Sequence, residues 1–108
     1  MTSPAKVLVA EDDPECASVF DRWLKSEGYD VTIVGSLAEA QSLRALEASF
    51  DALVLDVRLG KDDGRAIAKL YPKAKPITVS GEPGYDLQKP TLTREQMLAL
   101  LVVRLSEV

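Results

Sequence analysis

The chain has 108 residues, of which 28% are charged and 46% are hydrophobic, and its net charge is −4. This length fits a single domain over residues 1–108. The acidic balance argues against a nucleic-acid partner, because binding by counterion release needs a concentrated positive face. The chain has no histidine, which excludes histidine-based catalytic triads and histidine-ligated zinc.

No apolar run approaches the ~20 residues that a membrane-spanning helix needs. The amino terminus also lacks the apolar core of a secretory signal. The single cysteine, Cys16, cannot form an internal disulfide, which suits a reducing compartment. We therefore expect a cytoplasmic protein with no membrane partner.

The chain begins with a strand and a helix. The unbroken apolar run within Lys6–Ala10 predicts a strand that is buried on both faces. A helix over about residues 14–27 follows, with Pro14 in its first turn and Gly28 as its stop. Its apolar face is predicted to consist of Ala17, Phe20, Trp23 and Leu24.

The middle of the chain repeats this alternation. A strand at Val31–Val34 precedes Ser36 and Glu39, whose spacing is that of a capping box, and the helix is expected to run to about Ala48. A third strand, Ala52–Asp56, is again a continuous apolar run that ends in an acid.

The last part of the chain predicts a helix over about residues 64–70, a strand at Ile77–Ser80 and a final helix. A second capping box at Thr93–Gln96 opens that final helix, which is expected to reach nearly to Val108. Strands and helices that alternate with short links indicate a doubly wound α/β sheet.

Acidic residues follow two of the predicted strands. Glu11 and Asp12 come after the first strand, and Asp56 ends the third. If these strands are neighbours, the three carboxylates converge and need a cation or protons to neutralise them. Hard oxygen ligands favour Mg²⁺. The alternative is that these acids are solvated loop residues or helix caps, and Asp13, before a proline, fits an N-cap.

Two further residues fit phosphoryl chemistry. Ser80 ends the fourth strand, and Lys89 stands where a short fifth strand would end. A carboxylate nucleophile, a divalent ion, a hydroxyl and an ammonium form a set that can accept and shield a phosphoryl group. Taken singly, each of these two residues is more often an ordinary strand-end or surface residue.

The chain resembles the receiver domain of bacterial two-component response regulators. The resemblance covers essentially the whole chain and rests on the motifs Val7-Leu8-Val9-Ala10-Glu11-Asp12-Asp13, Leu53-Val54-Leu55-Asp56, Asp63-Gly64, Ser80-Gly81 and Lys89-Pro90. It implies a flavodoxin-like sheet of five parallel strands in the order 2-1-3-4-5.

The resemblance also implies roles for individual residues. Asp56 corresponds to the phosphoacceptor, and Glu11 and Asp12 to the acidic pair that holds Mg²⁺ together with Asp56 and the carbonyl of Arg58. Ser80 and Lys89 correspond to the hydroxyl and the lysine that contact the phosphoryl group. The peptide bond before Pro90 is expected to be cis.

The interval between Ser80 and Lys89 departs from the family, which has a full helix there. Only eight residues separate the two positions, so the fourth helix cannot fit. We expect an extended return to a very short fifth strand, since about four residues at ~3.3 Å each can retrace a short strand. The alternative is an antiparallel hairpin, which would carry Lys89 to the far end of the sheet.

Three positions near the site either modulate its chemistry or depart from the family pattern. Arg58 and Glu82 stand two residues after Asp56 and Ser80, and we expect them to pair across the opening and hinder an attacking water. Tyr85 is one residue away from the usual aromatic position, where Asp86 stands, so the usual aromatic switch is in doubt.

The missing helix leaves sheet surface to be covered. The final helix carries a wide apolar band. In one alternative, this helix shifts toward the sheet surface that the missing helix leaves uncovered, and its apolar band stays internal. In the other, the band forms a surface for a homodimer or for a partner protein.

The resemblance implies a regulatory phosphoacceptor, not an enzyme. A histidine kinase or phosphotransfer protein would donate the phosphoryl group, and output would pass to a downstream protein by contact. The chain would be either a single-domain regulator or a receiver cut from a larger protein. The alternatives are a pseudo-receiver that is not phosphorylated and a magnesium phosphatase, which usually has a second acid where Arg58 stands.

Overall fold

The computed structural model describes residues 5–82, 84–88 and 94–106. Its main sheet consists of β1 (Lys6–Ala10), β2 (Asp30–Val34), β3 (Ala52–Asp56), β4 (Lys75–Ser80) and β5 (Leu87–Gln88). All neighbouring pairs in this sheet are parallel, and the strand order is β2-β1-β3-β4-β5. The predicted α/β fold and strand order are confirmed.

Capping side chains precede the first three helices. The helices are α1 (Pro14–Ser26), α2 (Leu37–Ala45), a 3₁₀ helix (Gly64–Lys69) and α3 (Arg94–Leu105). Asp13 accepts the N–H of Glu15 at 3.0 Å, and Ser36 Oγ accepts the N–H of Glu39 at 3.2 Å. These bonds satisfy amide groups that have no partner within the first helical turn. None of the helices in the described ranges has the length and apolar content to cross a membrane.

Two of the predicted helices differ from the structure. α2 ends at Ala45, three residues earlier than expected, and Glu47 takes a left-handed φ of 62° that stops further helical turns. The helix predicted over about residues 64–70 is a 3₁₀ helix over Gly64–Lys69, in which Leu70 donates to the carbonyl of Ile67 only three residues back. This tighter form is common in short connecting segments.

The predicted apolar face of α1 is only partly correct. Phe20 and Leu24, one helical turn apart, are buried against the sheet. Trp23 is 40% exposed, so its place on the buried face was wrong. A helix that covers one face of a sheet buries a narrow stripe, and Trp23 lies beside that stripe.

Successive residues of β1 pack on opposite faces of the sheet. Val7 and Val9 belong to a core with α1 and α3, whereas Leu8 and Ala10 belong to a core with α2 and the 3₁₀ helix. From α3, Leu101 and Leu105 join the first of these cores. The final helix therefore packs on the α1 face, and Leu101 and Leu105 of its apolar band are internal.

The return from β4 to β5 brings the chain back alongside β4. Residues 81–82 and 84–88 contain no helix, and β5 pairs in parallel with β4, with Val79 opposite Leu87 and Ser80 opposite Gln88. The parallel pairing confirms the expected return to a short fifth strand, of which Leu87–Gln88 lie within the described residues. The antiparallel hairpin is excluded because the chain runs back along β4 before pairing again.

Candidate functional site

Three carboxylates meet at the carboxyl edge of the sheet. Glu11 directly follows β1 and Asp56 is the last residue of β3, and these two strands are paired neighbours. Carboxylate oxygens of Glu11, Asp12 and Asp56 lie within 4.8 Å of one another. The structure therefore brings together the acids that the sequence places at the ends of two strands.

The chemistry of this cluster fits a hard divalent cation. Glu11 is 3% exposed and Asp56 is 7% exposed, whereas Asp12 is exposed to solvent. Like charges held close together and partly removed from water repel each other unless a cation or protons neutralise them. Three carboxylate donors fit Mg²⁺, which prefers oxygen ligands and retains waters or phosphate oxygens.

A thiol lies beside the same acids. Glu11, Asp13 and Cys16 also place one donor atom each within 4.8 Å of the others. The Asp13 carboxylate, however, caps α1 and accepts the thiol of Cys16 at 3.5 Å. Asp13 is therefore a helix cap, as the alternative interpretation of the sequence has it.

Ser80 brings a hydroxyl to the same edge of the sheet. In the pairing of β3 with β4, Asp56 lies opposite Val79, so Ser80 stands one residue further along. Ser80 is 3% exposed, and its Oγ accepts the N–H of Glu82 at 3.1 Å. This bond gives the buried hydroxyl a defined partner in the return segment.

An ion pair spans the opening between the ends of β3 and β4. Arg58 Nη2 lies 3.0 Å from Glu82 Oε1, and this is the pair expected from the sequence. The two side chains are 83% and 61% exposed, so their pairing adds little to stability. Its position, two residues beyond both Asp56 and Ser80, places it at the entrance to the site.

The loop after β3 packs closely against the strand end. It contains a small antiparallel hairpin in which Arg58–Leu59 pairs with Asp62–Asp63. At Gly64 an added Cβ would overlap the carbonyl oxygen of Asp56 and lie 3.0 Å from its carbonyl carbon. Only glycine allows two backbones to approach this closely, which explains why residue 64 is a glycine.

Arg65 connects this loop to the return segment. Its Nη2 donates to Asp63 Oδ2 at 2.6 Å, and its guanidinium carbon lies 5.6 Å from the centre of the Tyr85 ring. The hydrogen bond from the guanidinium, with a further one from the Arg65 N–H, lowers the pKa of Asp63 from 3.8 to about 2. Tyr85 is thus held in the return segment by a cation–π contact.

Two predicted site residues, Lys89 and Pro90, lie outside the described residues, so their roles stay predictions. Sequence reasoning missed Asp86, whose carboxylate binds Thr78 on β4. The sequence indicated only that Asp86 stands where the family usually has an aromatic residue, and it gave no sign of what the carboxylate binds. The packing of Gly64 against Asp56 was also missed, since only the backbone trace reveals it.

Comparison by sequence identifies relatives of this chain. Residues 7–82 match the family model described as the response regulator receiver domain. The protein-glutamate methylesterase/protein-glutamine glutaminase of Maricaulis maris strain MCS10 is 41% identical over 76 residues, which are 68% of this chain and 19% of that protein. The chain spans less than a third of the length of the curated relatives it matches.

Comparison by structure gives proteins of the same fold. A receiver domain protein from Methanospirillum hungatei JF-1 superposes with a TM-score of 0.78 at 22% identity, covering 97% of this chain and 96% of that one. A response regulator protein from Burkholderia pseudomallei, solved with a phosphorylated aspartic acid, a calcium ion and citrate, superposes with a TM-score of 0.71. It is 25% identical, and the match covers 96% of this chain and 73% of that one.

Proposed function

Because the chain belongs to the response regulator receiver domain family, we propose that Asp56 accepts a phosphoryl group from a histidine kinase or phosphotransfer protein. The reaction depends on Mg²⁺ and takes place in the cytoplasm. The observation that carries this proposal is the convergence of Glu11, Asp12 and Asp56 at one edge of the sheet, with two of the three carboxylates buried.

The proposed reaction is a transfer between two side chains. A carboxylate oxygen of Asp56 attacks the phosphorus of a phosphohistidine, the P–N bond breaks, and the imidazole nitrogen leaves and takes up a proton. Glu11, Asp12, Asp56 and the carbonyl of Arg58 would hold Mg²⁺, which when bound neutralises charge on the phosphoryl oxygens. The product is an acyl phosphate on Asp56, and the chain acts as a regulatory phosphoacceptor.

Ser80 and Lys89 are proposed to stabilise the phosphoryl group. A hydroxyl that accepts one N–H can donate its own proton to a phosphoryl oxygen, so the bond from Glu82 to Ser80 Oγ is compatible with this role. Lys89 directly follows Gln88, which pairs with Ser80, and its ammonium would pair with the same group. The cis form of the Lys89–Pro90 bond remains part of this proposal.

Labelling with acetyl phosphate tests the proposal. We expect the protein to gain one phosphoryl group by intact mass when Mg²⁺ is present, and none when the ion is chelated. Asp56→Asn should abolish labelling. Asp62→Asn removes an acid of the nearby hairpin that lies outside the cluster, and should leave labelling intact.

The contrary outcome would favour another function. If the unmodified chain takes up no phosphoryl group with Mg²⁺, the phosphoacceptor role fails. A pseudo-receiver that signals by protein contacts alone would then be favoured, and the shortened return between β4 and β5 is the observation on its side.

Output is proposed to pass through protein contacts, including contact with a second copy through α3. On this helix Leu100 is 45% exposed and Val103 is 58% exposed. Light scattering after size exclusion, at several concentrations and with or without beryllofluoride, tests the self-association. A monomer under every condition would remove this part of the proposal.

A further inference from the structure

The return segment is fastened to β4 by a reciprocal contact between two side chains and two backbone amides. Asp86 Oδ2 accepts the N–H of Thr78 at 2.9 Å and the hydroxyl of Thr78 at 3.1 Å. The N–H of Asp86 in turn donates to Thr78 Oγ1 at 3.2 Å. Three hydrogen bonds therefore join this single pair of residues.

The position of Thr78 explains why a side chain is needed there. The carbonyl of Val79 accepts the N–H of Val57, so the backbone of Val79 faces β3. Successive residues of a strand direct their backbone groups to opposite edges, so the N–H of Thr78 faces the β5 side. Because the pairing of β5 seen among the described residues begins at Val79, the carboxylate of Asp86 supplies the acceptor for the N–H of Thr78.

The contact also defines the register of β5. Two residues of this strand lie in the described part of the chain, and the backbone hydrogen bonds of so short a stretch specify the pairing weakly. A shift by one residue would turn Leu87, which is 1% exposed in the core with Leu101, toward the opposite face. Asp86 precedes Leu87 directly, and its bonds to Thr78 place Leu87 opposite Val79 and Gln88 opposite Ser80.

We propose that Asp86 is a positioning residue for the phosphoryl site. By binding Thr78 it fixes the register in which the chain reaches residue 88 beside Ser80, and hence the point from which Lys89 follows. This inference rests on the proposed phosphoacceptor function.

The experiment compares two ligands of the full chain, Mg²⁺ alone and beryllofluoride in the presence of Mg²⁺. The acids that would hold Mg²⁺ belong to the ends of β1 and β3, whereas beryllofluoride occupies the place of the phosphoryl group and also needs the residues of β4 and β5. We expect Asp86→Ala to weaken beryllofluoride binding on the order of tenfold, because hydrogen bonds to a carboxylate are lost. Binding of Mg²⁺ should stay unchanged.

Two further variants separate this role from a loss of charge or of folding. Asp86→Asn keeps an oxygen that can accept both bonds from Thr78, so it should restore most of the beryllofluoride affinity. Asp30→Ala removes the same charge at the opposite end of the sheet, where β2 begins, and should bind both ligands like the unmodified chain. Hydrogen exchange at the Thr78 amide should be faster in Asp86→Ala alone.

The outcomes distinguish a failure of the positioning role from a failure of the proposed phosphoacceptor function. If Asp86→Ala binds beryllofluoride as tightly as the unmodified chain, or if it loses Mg²⁺ binding to the same extent, the positioning role is wrong. If Asp86→Asn is as impaired as Asp86→Ala, the role is also wrong. An unmodified chain that binds Mg²⁺ but no beryllofluoride would overturn the phosphoacceptor function and this role together.

Discussion

Replacing Gly64 by alanine is expected to displace the end of β3 that carries Asp56. The added Cβ would overlap the Asp56 carbonyl oxygen and lie 3.0 Å from the carbonyl carbon. Carbon atoms in contact settle at about 3.5 Å, so the main chain must move by at least about 0.5 Å. Neither side yields readily, because Asp56 is paired in the sheet and the N–H of Gly64 donates to Val57 at 3.0 Å.

The magnitude follows from the rigidity of both backbones. Overpacking a well-packed region costs about 1–3 kcal/mol, and we expect the upper end because no flexible side chain can give way. For a domain of this size, a loss of about 3 kcal/mol corresponds to a fall in Tm of roughly 12–24 °C. Mg²⁺ binding should weaken as well, since Asp56 is one of the three converging acids.

Gly81→Ala is the matched control, because nothing lies within 4 Å of the Cβ that it would add. We expect it to change the free energy of unfolding by no more than about 0.5 kcal/mol. Thermal unfolding followed by circular dichroism, together with Mg²⁺ titration, compares the two variants. If Gly64→Ala is as stable as Gly81→Ala, the close backbone approach does not hold the strand end, and the reasoning is refuted.

Three further predictions concern side chains around the sheet. Arg58→Ala should shorten the lifetime of the aspartyl phosphate and change the free energy of unfolding by less than about 1 kcal/mol. An unchanged lifetime would count against the idea that the Arg58–Glu82 pair hinders an attacking water. Arg65 holds the pKa of Asp63 at about 2, below its ordinary 3.8, so the stability from this contact is present above pH 3.8 and is lost as the pH falls toward 2. Urea unfolding between pH 2 and 5 should show this loss in the unmodified chain and not in Asp63→Asn. Tyr71→Phe removes the hydrogen bond that the buried hydroxyl donates to the carbonyl of Ala40 at 3.1 Å. It should lower the free energy of unfolding in urea by about 1 kcal/mol. Equal stability of the two proteins would show that the bond makes no net contribution.

The parts of the fold that were predictable depend on local patterns. The uninterrupted apolar runs at Val7–Val9 and Leu53–Leu55 predict strands buried on both faces, and both lie in the middle of the sheet. The eight residues after Ser80 set a length limit that excludes a helix followed by a return. The acids at the strand ends followed from the rule that parallel strands end at one edge.

The parts that were not predictable depend on contacts between distant residues. Trp23 has the spacing of a buried residue, but the width of the stripe covered by α1 is decided by the sheet beneath it. Asp86 differs from the family pattern, and nothing in the sequence indicates that its carboxylate binds Thr78 eight positions earlier. The roles of Lys89 and the Arg58 carbonyl are still predictions.

Loss of a helix beside β4 creates a hazard that two residues of this chain remove. Within the described ranges β5 pairs with the end of β4 alone, so the stretch before it has no strand beside it that would stop another polypeptide from pairing there. The residues of this stretch that face outward are Pro76, which has no N–H, and Thr78, whose N–H already binds Asp86. An incoming strand would find no available amide donor at these two positions, so an imino acid and a carboxylate together disfavour pairing of this edge with another chain.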